Sequence, residues 1–528
     1  MSSLQPIKLN SSSPIIRTTQ SNGNEAFMQV LLGPLIKVWG QSGPNDATDR
    51  EWEGTFYIQP ANEIEDFMKK NAKSFKLPLH LGGTGVRGWD EIVVPSNAIC
   101  EDRHKIDIIP VNQLANLVRC ADDKGGASWK TWYEIRNIIT PITYTDIGIM
   151  TTDHEGSKSN EDNDQLMFFS VFDGMGGSLS SDMISKTLHA CLALTIARLR
   201  QDTSKGEPID QERLEWALTD TFVAINQDFL NAPVSALRGL LERQDTSPIL
   251  PKFGPSNFLF GATEGSGCTA CTVIVDTSTS KIYVAHVGDS RAVAGWYNHK
   301  EGKWRCDVLT EDHCGQNPKE CQRRLARHPL EEADQVIHDR GWGNRILGTN
   351  DVVRKFGGSY SVRSHAEENE IWNVFQTKQA FNHFPKKTPP YTDTEAAVTY
   401  RDLKANPDEK LKFIILATDG VWDRLTSEEA VLLTAAYKDN PSQGDIPKKA
   451  LPERYPMISP TDPRPYPAQE LPGTGGRAEG AWAFDGDGDA GTHLIRNVLG
   501  GADREWRQRV LSLRESVARE MRDDMTAV

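Results

Sequence analysis

Three apolar segments of the sequence are each followed by an aspartate. Asp173 follows LMFFSVF, Asp289 follows YVAHVG and Asp419 follows KFIILAT. Carboxylates at the ends of buried strands can converge at one edge of a sheet, and carboxylates without histidine or cysteine partners suit hard cations such as Mg²⁺ or Mn²⁺. A glycine after the aspartate, as at Gly174, lets a backbone carbonyl approach the same cation. A single Asp-Gly pair usually marks a β-turn, so the recurrence after apolar segments is what indicates a metal site.

Two other patterns carry residues that could do chemistry. A further acidic pair, Asp523–Asp524, lies directly before the sequence MTAV. Cys268 and Cys271 form a CxxC motif inside an apolar, strand-like run. Because a zinc site of this type needs a second pair of ligands, which the sequence does not offer nearby, we expect these cysteines to lie in a strand core.

The elements that must position these residues occur as runs of helices and runs of strands. Short apolar runs predict buried strands, and the sequence TSTS between two of them is a hairpin signal. Apolar residues at a spacing near 3.6 predict amphipathic helices. Because the two kinds of element do not alternate strictly, the expected fold class is α+β. The predicted strands cover 166–172, 269–276, 281–287, 292–296 and 412–417, and the predicted helices cover 184–199, 214–229 and 492–499.

Composition and charge exclude several classes of protein. The 528 residues include 59 Lys and Arg against 73 Asp and Glu, a net charge of −14, which argues against a protein that coats nucleic acid. No stretch approaches 18 uncharged apolar residues, so we expect no transmembrane helix. Eight cysteines do not make a disulfide scaffold. The first 24 residues are rich in serine and lack acids, which leaves open a short organellar targeting segment.

The order and content of these motifs resemble the metal-dependent type 2C (PPM) protein phosphatases. Finer matches resemble pyruvate dehydrogenase phosphatases, especially the fungal mitochondrial proteins. The motifs shared with the wider family are FFSVFDGMGG, GSGCTACTVIVDTSTSKIYVAHVGDSRAV, VLTEDHCGQNPKE, FIILATDGVWDRLTSEEAV and RDDMTAV. The finer matches are KSFKLP, VPSNAICEDRH, KTPPYTDTEAAVTY and THLIRNVLGGADRE.

The resemblance implies a fold, a reaction and a location. The fold would be an α/β/β/α sandwich, with two central antiparallel sheets flanked by helices. The reaction would be hydrolysis of phosphoserine or phosphothreonine in a phosphoprotein, with the pyruvate dehydrogenase complex as a candidate substrate. Relatives of this kind are mitochondrial; otherwise the location would be cytoplasmic. We expect an N-terminal, partly irregular extension over 1–60 and a phosphatase domain over 61–528, with inserts at about 112–164 and 438–490.

The same resemblance assigns metal ligands residue by residue. Two cations, Mg²⁺ or Mn²⁺, would share the carboxylate of Asp173, and the Gly174 carbonyl would join one of them. Asp419 and Asp523 would complete the set of ligands. A single-step hydrolysis follows, in which the cations activate a water molecule and neutralise phosphoryl oxygens, so that no cysteine nucleophile is needed.

The family also has an upstream Glu-Asp pair that binds through metal-bound waters, and two places in this sequence compete for it. Glu101–Asp102 lies in SNAICEDR, and Glu161–Asp162 lies in KSNED, shortly before the first metal ligand. The longer flanking match favours Glu101–Asp102 as the catalytic pair.

Other family positions are matched or replaced. Asp289 and Asp423 match acidic positions that can hold a third, weaker metal. Met175 stands where the family has a histidine thought to protonate the leaving oxygen, and Gly358, in RKFGG, stands where the family has the aspartate of RAFGD. These two departures leave an alternative open, a pseudophosphatase-like regulatory or binding module with weak or no activity.

Overall fold

The computed structural model describes residues 15–20, 26–32, 52–77, 86–97, 99–123, 164–202, 209–242, 265–339, 343–368, 386–458, 480–513 and 515–528. The strands are β1 Ile15–Gln20, β2 Ala26–Leu32, β3 Trp52–Tyr57, β4 Ala72–Lys76, β5 Gly88–Val94, β6 Arg103–Pro110, β7 Gln165–Phe172, β8 Gly174–Met175, β9 Gly267–Cys268, β10 Ala270–Asp276, β11 Lys281–Val287, β12 Arg291–Asn298, β13 Lys303–Val308, β14 Ile337–Asp339, β15 Asn344–Ile346, β16 Phe356–Gly357, β17 Ala397–Asp402, β18 Glu409–Ala417, β19 Ile446–Pro447, β20 Ala481–Trp482 and β21 Met525–Ala527.

The α-helices of the described residues include four of more than ten residues and several single turns. They are α1 Ala61–Asn71, α2 Leu114–Asp123, α3 Leu179–Asp202, α4 Gln211–Glu242, α5 Pro318–Leu325, α6 Ala333–Val336, α7 Ser359–Val362, α8 Asp419–Trp422, α9 Ser427–Asp439, α10 Leu451–Arg454, α11 Ala490–Val498, α12 Arg504–Ser512 and α13 Glu515–Met521. Among the described residues, no helix is both long enough and apolar enough to cross a membrane.

Two antiparallel sheets form the centre of the fold. One has the strand order β17-β11-β10-β7-β6 and the other has the order β13-β12-β18-β21-β5-β4. The strand β7 shows why the layers stack: Phe168 and Phe172 pack with α3 and α4, whereas Met167 and Phe169 pack with residues of β12 and β18 in the other sheet. A strand buried on both faces is apolar throughout, which is the pattern of its sequence.

The outer layers are helical. The helices α2, α3 and α4 share a core with the first sheet, and α9, α11 and α12 share a core with the second. The order of layers is therefore helix, sheet, sheet, helix, and the predicted α+β class with two antiparallel sheets is confirmed. The strand β21 pairs with both β18 and β5, so it joins distant parts of the chain within one sheet.

The structure differs from the expectations at several places. Residues 114–123, which fall in the insert that we expected at about 112–164, form α2. Leu114, Leu117, Val118 and Ala121 have the spacing of one helix face and are buried against the first sheet. The N-terminal extension contains the antiparallel strands β1, β2 and β3, and the insert at about 438–490 contains the pair β19 and β20. The rest of the first insert lies outside the described residues.

Candidate metal centre

Three of the expected carboxylates come together at one edge of the two sheets. Each of Asp173, Asp289 and Asp419 offers one oxygen atom, and these oxygens all lie within 4.8 Å of one another. Asp173 follows β7, Asp289 lies in the turn between β11 and β12, and Asp419 begins α8 directly after β18. The chain positions of these residues differ widely, so the cluster is a product of the tertiary fold.

The strand pairing explains why the carboxylates converge. The strands β7 and β11 both pair antiparallel with β10, so they run in the same direction and end at the same edge. The turn holding Asp289 then carries the chain into the second sheet, where Arg291 at the start of β12 pairs with Ala417 at the end of β18. The ends of all three strands therefore meet at one edge.

The electrostatics of the cluster favour a cation. Burial raises the pKa values of Asp173 and Asp289, and the charge of Asp419 raises both further. Within the described part of the chain, one buried carboxylate oxygen of Asp289 and one of Asp419 have no hydrogen-bond partner. Buried carboxylates are normally paired or coordinate a metal. An unpartnered buried oxygen on each of two clustered carboxylates therefore fits a divalent cation that prefers oxygen ligands.

Asp102 belongs to the same edge. It directly precedes β6, whose first residue, Arg103, pairs with Phe172 at the end of β7. Its Oδ2 accepts a hydrogen bond of 2.8 Å from the Thr418 hydroxyl, and its buried Oδ1 has no partner among the described residues. Burial raises the pKa of Asp102 to about 8, with further contributions from Asp524 and Asp419. This carboxylate therefore shares the electrostatic environment of the cluster.

Glu101 is held beside the turn that follows Asp173. Its Oε1 accepts a hydrogen bond of 2.9 Å from the Gly177 amide, and its carbonyl oxygen accepts one of 2.5 Å from the Ser181 hydroxyl. A Cβ atom built on Gly174 would lie 2.4 Å from that same carbonyl oxygen, so only glycine permits this approach. The competing pair, Glu161–Asp162, lies outside the described residues.

The structure places Asp523 differently from the ligand set that the resemblance implies. The Asp523 carboxylate contacts the guanidinium of Arg519, four residues earlier, and is not one of the three clustered carboxylates. Asp289, which the sequence analysis assigned to a third metal, is the third carboxylate of the cluster. Asp523 stays close to the centre, because a Cβ on Gly420 would lie 3.2 Å from the Asp523 Cβ. The Asp523 carboxylate therefore lies near the centre and is paired with Arg519.

Asp423 lies one helical turn after Asp419. Its backbone amide donates a hydrogen bond of 2.7 Å to the Asp419 carbonyl. Burial raises the pKa of Asp423 to about 7, and the Asp419 charge raises it further. Asp423 is therefore electrostatically coupled to the cluster, although it is not one of the three clustered carboxylates.

The sequence analysis gave no role to Asp524, although it noted the acidic pair. The Asp524 carboxylate accepts hydrogen bonds from the Ser96 amide at 2.5 Å, the Ser96 hydroxyl at 2.9 Å and the Glu101 amide at 2.7 Å. Although burial raises the pKa of Asp524, these hydrogen bonds hold it below the usual value overall. Asp524 therefore fixes the loop that carries Glu101 and Asp102.

Met175 ends β8 and is half-buried, at the border of the metal centre. Its sulfur lies 3.8 Å from the amino nitrogen of Lys355, a residue that the sequence analysis did not consider. The available signal was a second charged residue, next to Arg354, in the short motif RKFGG.

Comparisons with known proteins agree with this architecture. Residues 146–449 match the family described as protein phosphatase 2C. A mitochondrial pyruvate dehydrogenase (acetyl-transferring) phosphatase 1 from Rattus norvegicus is 27% identical over 496 residues, which are 90% of this chain and 82% of the relative. The protein of the same name from Saccharomyces cerevisiae is 26% identical over 84% of this chain and 68% of the relative.

A solved structure is also similar. The crystal structure of a serine-threonine phosphatase 2C from Toxoplasma gondii covers 86% of this chain and 97% of its own, with 14% identity and a TM-score of 0.40. The family match extends over more than half of the 528 residues and includes Asp173, Asp289 and Asp419. The chain therefore belongs to the protein phosphatase 2C family and is a metal-dependent protein phosphatase.

Proposed function

We propose that the chain removes phosphate from phosphoserine or phosphothreonine of the pyruvate dehydrogenase complex, with two Mg²⁺ or Mn²⁺ ions at its centre. The observation that carries the reaction is the convergence of the Asp173, Asp289 and Asp419 carboxylates, with oxygens within 4.8 Å of one another. Relatives named as phosphatases of pyruvate dehydrogenase align with 90% of the chain, which supports the substrate. Their names also support a mitochondrial location.

Asp173 and Asp419 would hold the cations, with the Gly174 carbonyl as a further ligand. Asp289, the third carboxylate of the cluster, would join them. Asp523 would join after its carboxylate leaves Arg519, with which it forms a partly exposed ion pair of small energetic worth. When bound, divalent cations lower the pKa of a coordinated water and neutralise phosphoryl oxygens.

Glu101 and Asp102 would act on waters bound to those cations. The Asp102 Oδ2 is held by the Thr418 hydroxyl, and its buried Oδ1, which has no partner among the described residues, can accept a hydrogen bond. The Gly177 amide fixes one oxygen of Glu101 in the same way. This arrangement supports Glu101–Asp102, rather than Glu161–Asp162, as the pair that orients water.

The thiols of the chain give no support to a cysteine nucleophile. Cys100 is the cysteine next to Glu101, and burial raises its pKa, with Asp524 and Asp102 raising it further. Burial likewise raises the pKa values of Cys268 and Cys271 in β9 and β10. Because only the thiolate is a competent nucleophile, direct attack by water is the reaction that the site supports.

A single phosphatase domain over 61–528 with an N-terminal extension remains our proposal for the domain organisation. The strands β4 and β5 support it, because they complete the second sheet next to β21. The alternative of a binding module rests only on Met175 and Gly358. The intact carboxylate cluster supports hydrolysis instead.

The first experiment measures hydrolysis of p-nitrophenyl phosphate by the purified full chain with Mn²⁺ and after addition of EDTA. We expect activity that EDTA abolishes and added Mn²⁺ restores. Activity that persists without metal, or no activity at all, would overturn the metal-dependent reaction.

The second experiment tests the substrate. Phosphate release from phosphorylated pyruvate dehydrogenase complex is compared with release from an unrelated phosphoprotein at the same concentration of phosphoserine. We expect a higher kcat/KM on the complex. Equal values on both proteins would reject the substrate assignment and leave the phosphatase activity standing.

A further inference from the structure

The turn between β11 and β12 carries Asp289 into the metal centre. Asp289 is 7% exposed, and its buried Oδ1 has no hydrogen-bond partner among the described residues. The residue before it, Gly288, has a φ of +103°, a backbone conformation that favours glycine. Contacts that fix the backbone of this turn therefore help to decide where the unpartnered oxygen lies.

Two buried histidines hold Gly288 through both of its backbone polar groups. His286 Nε2 donates a hydrogen bond of 2.7 Å to the Gly288 carbonyl oxygen, and the His313 backbone amide donates one of 2.8 Å to the same oxygen. The Gly288 amide donates a hydrogen bond of 3.3 Å to His313 Nδ1. The two rings stack with their centroids 4.2 Å apart, and His286 and His313 are 0% and 2% exposed. The histidines and Gly288 therefore form one buried unit.

These contacts fix which ring nitrogens carry a proton. A carbonyl oxygen only accepts a hydrogen bond, so His286 Nε2 is protonated, and an amide only donates one, so His313 Nδ1 is not. Burial lowers the pKa of His286 to about 4 and holds the pKa of His313 well below its usual value. Both rings are therefore neutral near pH 7, and each offers Gly288 the atom that its backbone group needs.

The other end of the turn is held by the residue before His313. Arg291 begins β12, and its Nε and Nη2 donate hydrogen bonds of 3.0 and 2.5 Å to the two carboxylate oxygens of Asp312. The side chains of this ion pair are 1% and 2% exposed. Asp312 and His313 are neighbours in the chain, so one short segment contacts the turn both before and after Asp289.

Gly288 also packs against the residue that holds the backbone of Asp173. A Cβ atom built on Gly288 would lie 2.4 Å from Thr269 Cβ, so the turn closely approaches the chain between β9 and β10. The Thr269 amide donates a hydrogen bond of 2.9 Å to the Asp173 carbonyl oxygen, and the Asp173 amide donates one of 3.2 Å to the Thr269 hydroxyl. A shift of Gly288 would therefore change the position of Asp289 relative to Asp173.

We propose that His286 and His313 are positioning residues for Asp289. By fixing Gly288, they set where the Asp289 carboxylate lies relative to that of Asp173, and so how well the two can share a divalent cation. This inference rests on the proposed metal-dependent reaction and assigns residues that support its metal centre. Because His286 Nε2 and His313 Nδ1 are both used by Gly288, the histidines act through the backbone of the turn.

The first measurement is Mn²⁺ binding to the full chain by isothermal titration calorimetry. His286→Phe keeps a stacked ring but removes the hydrogen-bond donor to Gly288, whereas His286→Gln keeps a donor at the reach of Nε2. Loss of a contact that orients a metal ligand typically costs ~10–100-fold in metal affinity, so we expect His286→Phe to bind Mn²⁺ at least ~10-fold more weakly. We expect His286→Gln to bind Mn²⁺ nearly as tightly as the original chain, because the donor is retained.

Hydrolysis of p-nitrophenyl phosphate over a series of Mn²⁺ concentrations is the second measurement. The Mn²⁺ concentration for half-activation should rise in His286→Phe by the same factor as the dissociation constant. Most of kcat should return at saturating Mn²⁺, because the carboxylates themselves are retained.

His493→Phe is the matched control. His493 is 0% exposed and lies on α11, and its ring stacks on that of Tyr437 with centroids 5.0 Å apart. It is thus an equally buried, stacked histidine in the outer helical layer. We expect His493→Phe to change the melting temperature but not the Mn²⁺ affinity, whereas a general loss of packing would lower both in either variant.

Several results would overturn the assignment. Original Mn²⁺ affinity in His286→Phe, an equal loss in His286→Gln, or an equal loss in His493→Phe would each reject His286 as a positioning residue while leaving the phosphatase reaction intact. If His286→Phe does not fold, the same comparison is made between His313→Leu and His313→Asn, whose Oδ1 can accept from the Gly288 amide.

The calorimetry also separates this inference from the proposed function. An original chain that binds Mn²⁺ but hydrolyses no phosphate ester would overturn the proposed function, and the affinities of the variants would still decide the role of the histidines. An original chain that binds no Mn²⁺ would overturn both.

Discussion

Replacing Gly174 by alanine would separate the loop that carries Glu101 from the metal centre. The added Cβ would lie 2.4 Å from the Glu101 carbonyl oxygen, whereas ordinary contacts begin at 3.4 Å, so the two segments must move apart by about 1.0 Å. Both clashing groups are close to the backbone, so no flexible side chain can absorb the shift. The displacement therefore falls on the positions of the carboxylates.

The size of the effect follows from what that shift disturbs. The Glu101 carbonyl accepts a hydrogen bond of 2.5 Å from Ser181, and the Glu101 carboxylate accepts one of 2.9 Å from Gly177. A displacement of 1.0 Å would lengthen both bonds beyond good geometry. Misplacement of catalytic groups by ~1 Å can cost ~10²-fold in rate. We therefore expect kcat/KM of Gly174→Ala to fall by about 10²-fold and the Mn²⁺ concentration for half-activation to rise.

The assay is hydrolysis of p-nitrophenyl phosphate over a series of Mn²⁺ concentrations, with thermal melting to verify folding. Gly265→Ala is the matched control, because Gly265 is exposed and a Cβ there meets nothing within 4 Å. We expect the control to behave like the original chain. A folded Gly174→Ala protein with the original rate and the original Mn²⁺ dependence would refute the view that the Glu101 loop must contact this turn.

Three further experiments test the assignment of the metal ligands and of the water-binding pair. Asp419→Asn keeps the shape of the side chain but removes a charge, so we expect Mn²⁺ affinity by calorimetry to fall at least ~10-fold; unchanged affinity would reject Asp419 as a ligand. Glu101→Gln should strongly reduce hydrolysis while Glu161→Gln leaves it nearly unchanged, and the reverse pattern would assign the water-binding pair to Glu161. Arg519→Ala frees the Asp523 carboxylate from an exposed ion pair worth at most ~1 kcal/mol, so Mn²⁺ should bind up to ~5-fold tighter; weaker binding would mean that Arg519 supports the site.

Local patterns in the sequence were sufficient for most of the core elements. The apolar run that became β7, the hairpin of β10 and β11, and the end of β18 at Asp419 were all predicted within a few residues. The reason is that β7, β10 and β11 are buried on both faces over almost their whole length, and β18 is buried over its last three residues, so consecutive apolar residues mark each of them. The long helices α3 and α4 were predicted from apolar residues at a spacing near 3.6, because the face of a helix that packs on a sheet is apolar.

The helix α2 was not predicted from the local sequence. Leu114, Leu117 and Val118 have helical spacing, but the segment is short and is followed by a long polar stretch. Its stability comes from packing against α3 and the first sheet. A short amphipathic segment is marginal without such a partner, so only the tertiary contacts decide that it is helical.

The metal centre was also predicted only in part from the sequence. The types of its residues follow from the sequence, because each carboxylate directly follows an apolar strand. Their grouping does not, since Asp289 enters the cluster through the crossing between two sheets, and Asp523 is turned toward Arg519. The meeting of Lys355 with Met175 likewise depends on the pairing of β16, β9 and β8. Sequence periodicity indicates which face of a helix or strand is buried. Strand register and the packing of the two sheets decide which side chains from distant parts of the chain come into contact.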